Sequence, residues 1–163
     1  MTSGGWSRRL WLLGALGVVA LCGQGAAQAQ VSNADKKTLA ELALAWAMDG
    51  GIPDTKLMQN PTEIVVETHN LPPKVDLHLR KRKVMVRSLI QLQAVADVYG
   101  DFLYFHFGPI TGKDKHASVP ITLTWAVGVR SKEKYLSGGG TTLQFELRKG
   151  KWTLLPVTER WTS

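Results

Sequence analysis

The chain has 163 residues, of which 44% are hydrophobic and 20% are charged, and its formal net charge is +7. This length suits one ordinary domain, and this composition excludes a disordered or low-complexity chain. The single cysteine excludes a disulfide framework within the chain and a metal knuckle built from several cysteines.

The N-terminal segment has the features of a signal peptide. Arg8 and Arg9 supply a positive start, and residues 10–21 form an apolar run. Residues 27–29 have alanine at both ends, as the cleavage sites of signal peptides do. An apolar helix of this length spans about 18 Å, which is shorter than a hydrocarbon core of about 30 Å. We therefore predict a signal peptide over 1–29, with membrane contact only through the uncleaved signal.

The export route has two alternatives. Residues 7–12 resemble a twin-arginine export signal, but the leucine-rich run after them suits the ordinary secretory route equally. Residues 19–22 resemble a lipoprotein box that ends at Cys22, but Leu21 stands where such boxes carry a small residue, so a lipid anchor is less favoured. We predict one domain over 30–163 that is periplasmic or secreted.

A first helix is predicted over about 34–49. Ser32 is a capping residue, and the acid Asp35 follows it at the spacing of a helix start. Apolar side chains then recur at helical spacing, at Leu39, Leu42, Ala43 and Trp46. Gly50 permits the left-handed conformation that ends a helix, and Pro53 cannot continue it.

The middle of the chain predicts short strands and a second helix. Strand-like runs occupy 63–68, 75–79 and 84–86. Ser88 is a cap for a helix that continues to about Tyr99, where Gly100 stops it.

From residue 101 onward the pattern changes to the period of two that is typical of strands. Such runs occupy 102–107, 119–129, 142–148 and 152–159. Parallel strands need a crossover of about a dozen or more residues, usually a helix, and the connections between these runs show no helical periodicity. We therefore predict an α+β fold, with a curved antiparallel sheet wrapped on the N-terminal helix and a second short helix.

This pattern resembles the cystatin-like and nuclear-transport-factor-like group of cone-shaped domains. The matching features are the helix at 34–49, the late strands, and the turn Gly150-Lys151-Trp152 that opens the last of them. The short strands before the second helix depart from the group's usual order. The resemblance implies a cavity at the mouth of the cone, which holds a ligand or, in a few enzymatic members, a catalytic His, Asp or Tyr. The chain also resembles secreted bacterial proteins of this size, which adds no function.

The run at 102–107 carries the candidate pocket residues. Alternation places Tyr104 and His106 on one face of the strand and Phe105 on the other. In a hollow cone, Tyr104 and His106 are convergent polar groups that bind a ligand or act as a base, with Asp101 as a nearby acid. The alternative is a boundary pair whose polar atoms are satisfied within the protein.

A basic run is the candidate binding surface for a polyanion. It consists of Arg80, Lys81, Arg82 and Lys83. Such a run attracts anionic headgroups, acidic polysaccharides or nucleic acid, and an exported protein makes nucleic acid an unexpected partner. An edge strand protected from aggregation by its lysines explains the same residues without a ligand.

The sequence lacks the residue patterns of a zinc site and of a phosphate-binding loop. The histidines at 69, 78, 106 and 116 do not form a pair at the spacing of a zinc site. The glycine-rich segment at 136–142 lacks the lysine and the following helix of a phosphate-binding loop. We predict no metal and no cofactor.

These observations predict a small binding or accessory domain of the bacterial cell envelope with no evident catalytic motif. Its expected partner is an envelope protein, a polyanion or a small apolar ligand. The alternative is a cone-shaped hydrolase or isomerase that uses His106 with Tyr104 or Asp101. An enclosed cavity around Tyr104 and His106 favours ligand binding or catalysis, and a filled interior favours interaction with a protein.

Overall fold

The computed structural model describes residues 31–58, 60, 62–133 and 138–162. The predicted signal peptide, including Cys22, lies outside the described residues. The helices are α1 (Asn33–Trp46) and α2 (Leu89–Tyr99), and two short turns, a π-helical one (Ala47–Gly51) and a 3-10 one (Pro53–Leu57), follow α1. The strands are β1 (Glu63–Glu67), β2 (Lys83–Arg87), β3 (Phe102–Phe107), β4 (Thr111–Lys113), β5 (His116–Ala126), β6 (Gly139–Arg148), β7 (Lys151–Leu154) and β8 (Trp161–Thr162). No helix formed by these residues is long and apolar enough to cross a membrane.

The predicted α+β fold is confirmed, since the strands form one curled mixed sheet with α1 and α2 packed on it. The strand order is β2-β1-β3-β5-β6-β7, with β4 paired to β5 and β8 paired to β6. β3, β5, β6 and β7 are antiparallel, as their pattern predicts. β1 pairs in parallel with both β2 and β3, so α2 belongs to the connection between two parallel strands.

Three of the late strands differ from their predicted bounds. β6 begins at Gly139 rather than at residue 142, because its first residues pair with β5 and β8. β5 begins at His116 because the short strand β4 pairs with its first residues in the segment predicted as a connection. The final run forms a strand only over Lys151–Leu154, which pairs with the end of β6. The Leu155 N–H still donates to the Gln144 carbonyl of β6 at 2.8 Å, and residues 155–160 lie outside the strand.

The predicted strand at 75–79 is wrong. The segment carries no strand, and its one ladder contact is a bridge between Leu79 and Arg82 across a tight turn. Leu77 is buried in the core, while the backbone N–H of His78 donates to the Glu41 side chain at 2.8 Å. A side chain of α1 thus replaces a neighbouring strand as a hydrogen-bond partner, although the apolar and polar residues alternate.

The core lies between α1 and the inner face of the sheet. The buried side chains of α1 are Leu39, Ala40, Ala43 and Leu44. They share one cluster with inward residues of the central strands, among them Phe105, Phe107, Ile121, Leu123, Leu143 and Phe145. Full burial of one such large side chain contributes about 1.5–3 kcal/mol, so this contact dominates the fold. Leu42, which the helical pattern placed on the buried face, is exposed.

The start of α1 is attached to the far end of the chain. The Ser32 hydroxyl accepts the backbone N–H of Asp35 at 3.1 Å, as the capping pattern predicts. The Trp152 indole N–H donates to the Asp35 carboxylate at 2.8 Å. The hydrogen bond with Ser32, and to a smaller extent the one from Trp152, lower the pKa of Asp35.

α2 packs on the outer face of the sheet. It has the predicted Ser88 cap, which forms a capping box with Gln91, and it buries Leu92 and Ala96. The Val129 N–H donates to Asp97 of α2, and the Gly128 N–H donates to Asp101 just after the helix, each at 2.8 Å, so the segment after β5 is attached to the end of α2.

We expect Gly128→Ala to destabilise the protein. A Cβ at this position would overlap the carbonyl oxygen of Ala96, so the loop and α2 would have to separate. The expected loss in the free energy of unfolding is about 1–3 kcal/mol, measured by urea denaturation. The adjacent exposed residue provides the control, since Val129→Ala should change stability by less than about 0.5 kcal/mol. Equal stability of the two variants would contradict this tight packing.

Candidate functional site

Tyr104 and His106 lie on the outer face of the sheet, opposite to α1. β3 alternates as predicted, with Leu103, Phe105 and Phe107 buried on the inner face and Phe102, Tyr104 and His106 partly exposed on the other. The inner residues share the core cluster with α1. Packing against α1 fills the inner face of the sheet, and a filled interior favours interaction with a protein over an enclosed ligand cavity.

His106 forms a pair with Glu67, a residue that the sequence did not single out. The Glu67 Oε2 and His106 Nδ1 atoms are 2.9 Å apart, and Glu67 Oε1 accepts the backbone N–H of His69 at 2.6 Å. Glu67 is 2% exposed, and a buried carboxylate is stable only with such partners. An ionised carboxylate only accepts hydrogen bonds, so Nδ1 is the donor toward Glu67, and in the neutral imidazole Nε2 is the acceptor.

The strand register explains this pairing. Val66 of β1 lies beside Phe105 of β3, so the next residues along the parallel strands, Glu67 and His106, are neighbours on the outer face. The available signal was the alternation of β1, in which Glu67 falls at the end of a β-branched run. A glutamate at that position is equally typical of the solvent-facing end of a strand, so the sequence did not predict the pairing of Glu67 with His106.

Asp101, the acid predicted to assist His106, lies elsewhere. Its carboxylate accepts the Gly128 N–H at 2.8 Å and a hydrogen bond from the Ser131 hydroxyl. Both partners belong to the segment after β5, so Asp101 anchors this loop. The structure therefore brings Tyr104 and His106 onto one face and places Glu67, rather than Asp101, beside the imidazole.

The Glu67 carboxylate also affects the pKa of Tyr104. It packs beside Leu92 and Ala96 of α2. Burial, and secondly the negative charge of Glu67, raise the pKa of Tyr104 above its ordinary value. The unfolded phenol titrates near pH 10, so this group stabilises the folded state at lower pH, and that contribution disappears as the pH rises through the folded-state pKa.

We expect Glu67→Gln to lower the pKa of Tyr104 without returning it to its ordinary value. The substitution removes the negative charge but leaves the burial, which is the larger cause. Tyrosinate absorbance during an alkaline titration, with a Tyr104→Phe variant subtracted, measures the change. Glu63→Gln is the matched control, because it removes a carboxylate from the opposite end of β1. An unchanged Tyr104 titration in Glu67→Gln would contradict the electrostatic coupling.

The basic run surrounds a tight turn at the edge of the sheet. Arg82 Nη1 lies 3.8 Å from Asp49 Oδ1, and Lys83 Nζ lies 3.3 Å from Glu63 Oε1. Arg80 and Lys81 are exposed and have no ion pair among the described residues. Lys83 begins β2, which is the edge strand, so the basic run also lies where lysines protect an edge strand from aggregation.

Any affinity of the basic run for polyanions should depend mainly on Arg80 and Lys81. The charges of Arg82 and Lys83 are partly compensated by neighbouring carboxylates. We expect Arg80→Ser/Lys81→Ser to elute from a heparin column at lower salt than Arg82→Ser/Lys83→Ser does. Identical elution of the two double variants would contradict this assignment.

The other histidines are dispersed. His69 follows β1, His78 lies 3.2 Å from the Asp76 carboxylate, and His116 is opposite Glu146 on β5 and β6. Among the residues that the structure describes, there is no group of three or more His, Cys, Asp or Glu side chains that could hold a metal ion.

A groove of about 210 Å³ lies between the end of α2 and the segment before β1. Its walls include apolar side chains from separate elements, namely Leu57, Met58, Val65, Met85, Val95, Phe102 and Trp125. Glu63 and Asp101 supply the carboxylates of the lining, which contains no Lys, Arg or His. The sequence did not predict this groove, because its walls come from elements that are distant along the chain.

Comparisons with models of protein families, with curated proteins and with solved structures found no match for this chain. The structure defines the class as an α+β protein with a curled, half-barrel sheet.

Proposed function

We propose that the protein is a small exported binding domain of the bacterial cell envelope, which docks a partner polypeptide and performs no covalent chemistry. The groove beside α2 carries the proposal, and it receives a bulky apolar side chain of the partner. The export part of the proposal rests on the paired arginines, the apolar run and the cleavage site of residues 1–29.

The size of the groove favours a side chain over a whole small molecule. Sites for drug-sized molecules occupy about 300–1,000 Å³. The groove has about 210 Å³ and is open along one side, which suits one or two side chains of a polypeptide that continues over the surface.

The surface around the groove is unusually apolar. Tyr99, which lines the groove at the end of α2, is 84% exposed. Leu57 across the groove is also exposed, as is Val98, which precedes Tyr99 on α2 but does not line the groove. Single exposed apolar residues are ordinary, but a group of them around an apolar groove is typical of a protein interaction site, where buried anchors supply most of the affinity.

The charge of the lining specifies the partner further. The carboxylates of Glu63 and Asp101 repel an anionic group and attract a cationic one, although both already have partners within the protein. The expected partner segment therefore presents Leu, Phe or Met beside Lys or Arg.

Panning a random peptide library displayed on phage against the purified protein tests this function. We expect enrichment of peptides in which a bulky apolar residue adjoins a basic one. Val95→Arg should weaken an enriched peptide at least tenfold, because this side chain lines the groove. Ala94→Arg is the matched control, since residue 94 is exposed on the same helix but does not line the groove, and it should bind as the wild type does.

Three results would overturn the proposal. Enrichment of no peptide family, or equal binding by Val95→Arg and the wild type, would show that the groove is not a docking site. A stable dimer in sedimentation experiments that Val95→Arg dissociates would assign the groove to a second copy of the chain instead of a partner.

A further inference from the structure

A row of side chains crosses the outer face of the sheet through the Glu67–His106 pair. The row runs over Arg87 on β2, Glu67 on β1, His106 on β3, Thr122 on β5, Gly140 on β6 and Trp161 on β8. Register partners point to the same face of a sheet, so these groups share one surface. This surface is separate from the groove, whose lining includes none of them.

Trp161 forms an aromatic platform at one end of the row. A Cβ on Gly140 would lie 2.7 Å from Cζ2 of the Trp161 ring and 3.0 Å from the Thr122 hydroxyl oxygen. Glycine therefore lets the indole lie against the sheet, next to Thr122. Trp161 is 49% exposed although it is large and apolar.

His106 supplies an oriented hydrogen-bond acceptor near this platform. With Nδ1 facing Glu67, Nε2 carries the lone pair in the neutral imidazole, and the His106 side chain is 37% exposed. Thr122 lies between His106 and Gly140 and can both donate and accept through its hydroxyl. Adjacent strands are about 4.8 Å apart, so His106 and Gly140 are separated by about 10 Å, which leaves room for one sugar ring.

The charges of the row favour a neutral ligand. Arg87 lies opposite Glu67 in the parallel register, so one positive charge stands beside one negative charge. A ligand for this surface needs an apolar face that stacks on the indole and hydroxyl groups around its edge that reach Thr122 and His106. The pyranose ring of a neutral saccharide has both.

The geometry points to a saccharide-binding site on the outer face of the sheet, in which Trp161 stacks against a neutral pyranose ring. Thr122 and the Nε2 atom of His106 form hydrogen bonds with the hydroxyl groups of the sugar. Glu67 is a positioning residue, because it acts only by fixing the proton and the orientation of the imidazole. The site does not depend on the proposed docking of a polypeptide at the groove.

The experiment is binding of the purified protein to a microarray of neutral oligosaccharides of glucose, mannose, galactose and N-acetylglucosamine, beside sialylated and sulfated ones. We expect retention on a subset of the neutral oligosaccharides. Trp161→Ala and His106→Ala should each weaken binding to that subset at least tenfold, and Trp161→Phe should restore part of it because a smaller ring still stacks.

Two controls separate this site from the groove. Tyr99→Ala removes an exposed aromatic residue outside the row, and Val95→Arg blocks the groove, so both should bind the array as the wild type does. Addition of the best neutral oligosaccharide should shift the ¹⁵N resonance of His106 Nε2 and leave those of His69, His78 and His116 in place. Circular dichroism verifies that each variant is folded.

Three results would overturn the inference. Retention on no neutral oligosaccharide is the first, and undiminished binding by folded Trp161→Ala is the second. The third is retention on acidic oligosaccharides alone that Arg80→Ser/Lys81→Ser abolishes, which would assign glycan binding to the basic run.

Discussion

The contact between α1 and the inner face of the sheet determines which surfaces of this protein remain for function. Leu39, Ala40, Ala43 and Leu44 are fully buried, and the two alanines let the helix approach the strands closely. Because every residue of a strand points to one face or the other, filling the inner face assigns the alternate residues to the outer face. Burial of the inner face by α1 therefore determines what lies on the outer face, which carries the row from Arg87 to Trp161, Tyr104 and the surface on which α2 packs.

Much of the fold could be predicted because its signals are local. Ser32 and Ser88 cap their helices through side chains a few residues away, and residues 102–107 alternate without interruption. The parallel pairing of β1 was beyond local analysis, since it depends on strands far apart in sequence. The segment at 75–79 was misassigned for a related reason, because its backbone finds a partner in Glu41 rather than in a strand.

The candidate sites were predictable only in part. His106 and Tyr104 were chosen correctly as neighbours on one face, because alternation within one strand is enough to show it. The acidic partner of His106 was not predicted. Closeness along the chain favoured Asp101, whereas the register of β1 against β3 places Glu67 beside the imidazole. The platform formed by Trp161 on Gly140 has no signature in sequence, since glycines and tryptophans near strands have many other uses.

The hydrogen bond between Trp152 and Asp35 joins residues that are 117 positions apart. During synthesis, α1 leaves the ribosome before the strands that cover its apolar side chains, and the last of these strands lies near the end of the chain. A native core therefore cannot close around this helix until almost the whole polypeptide has been made. The folding rate of such a topology is governed by the entropy of closing long loops and not by the rapid formation of the helix itself.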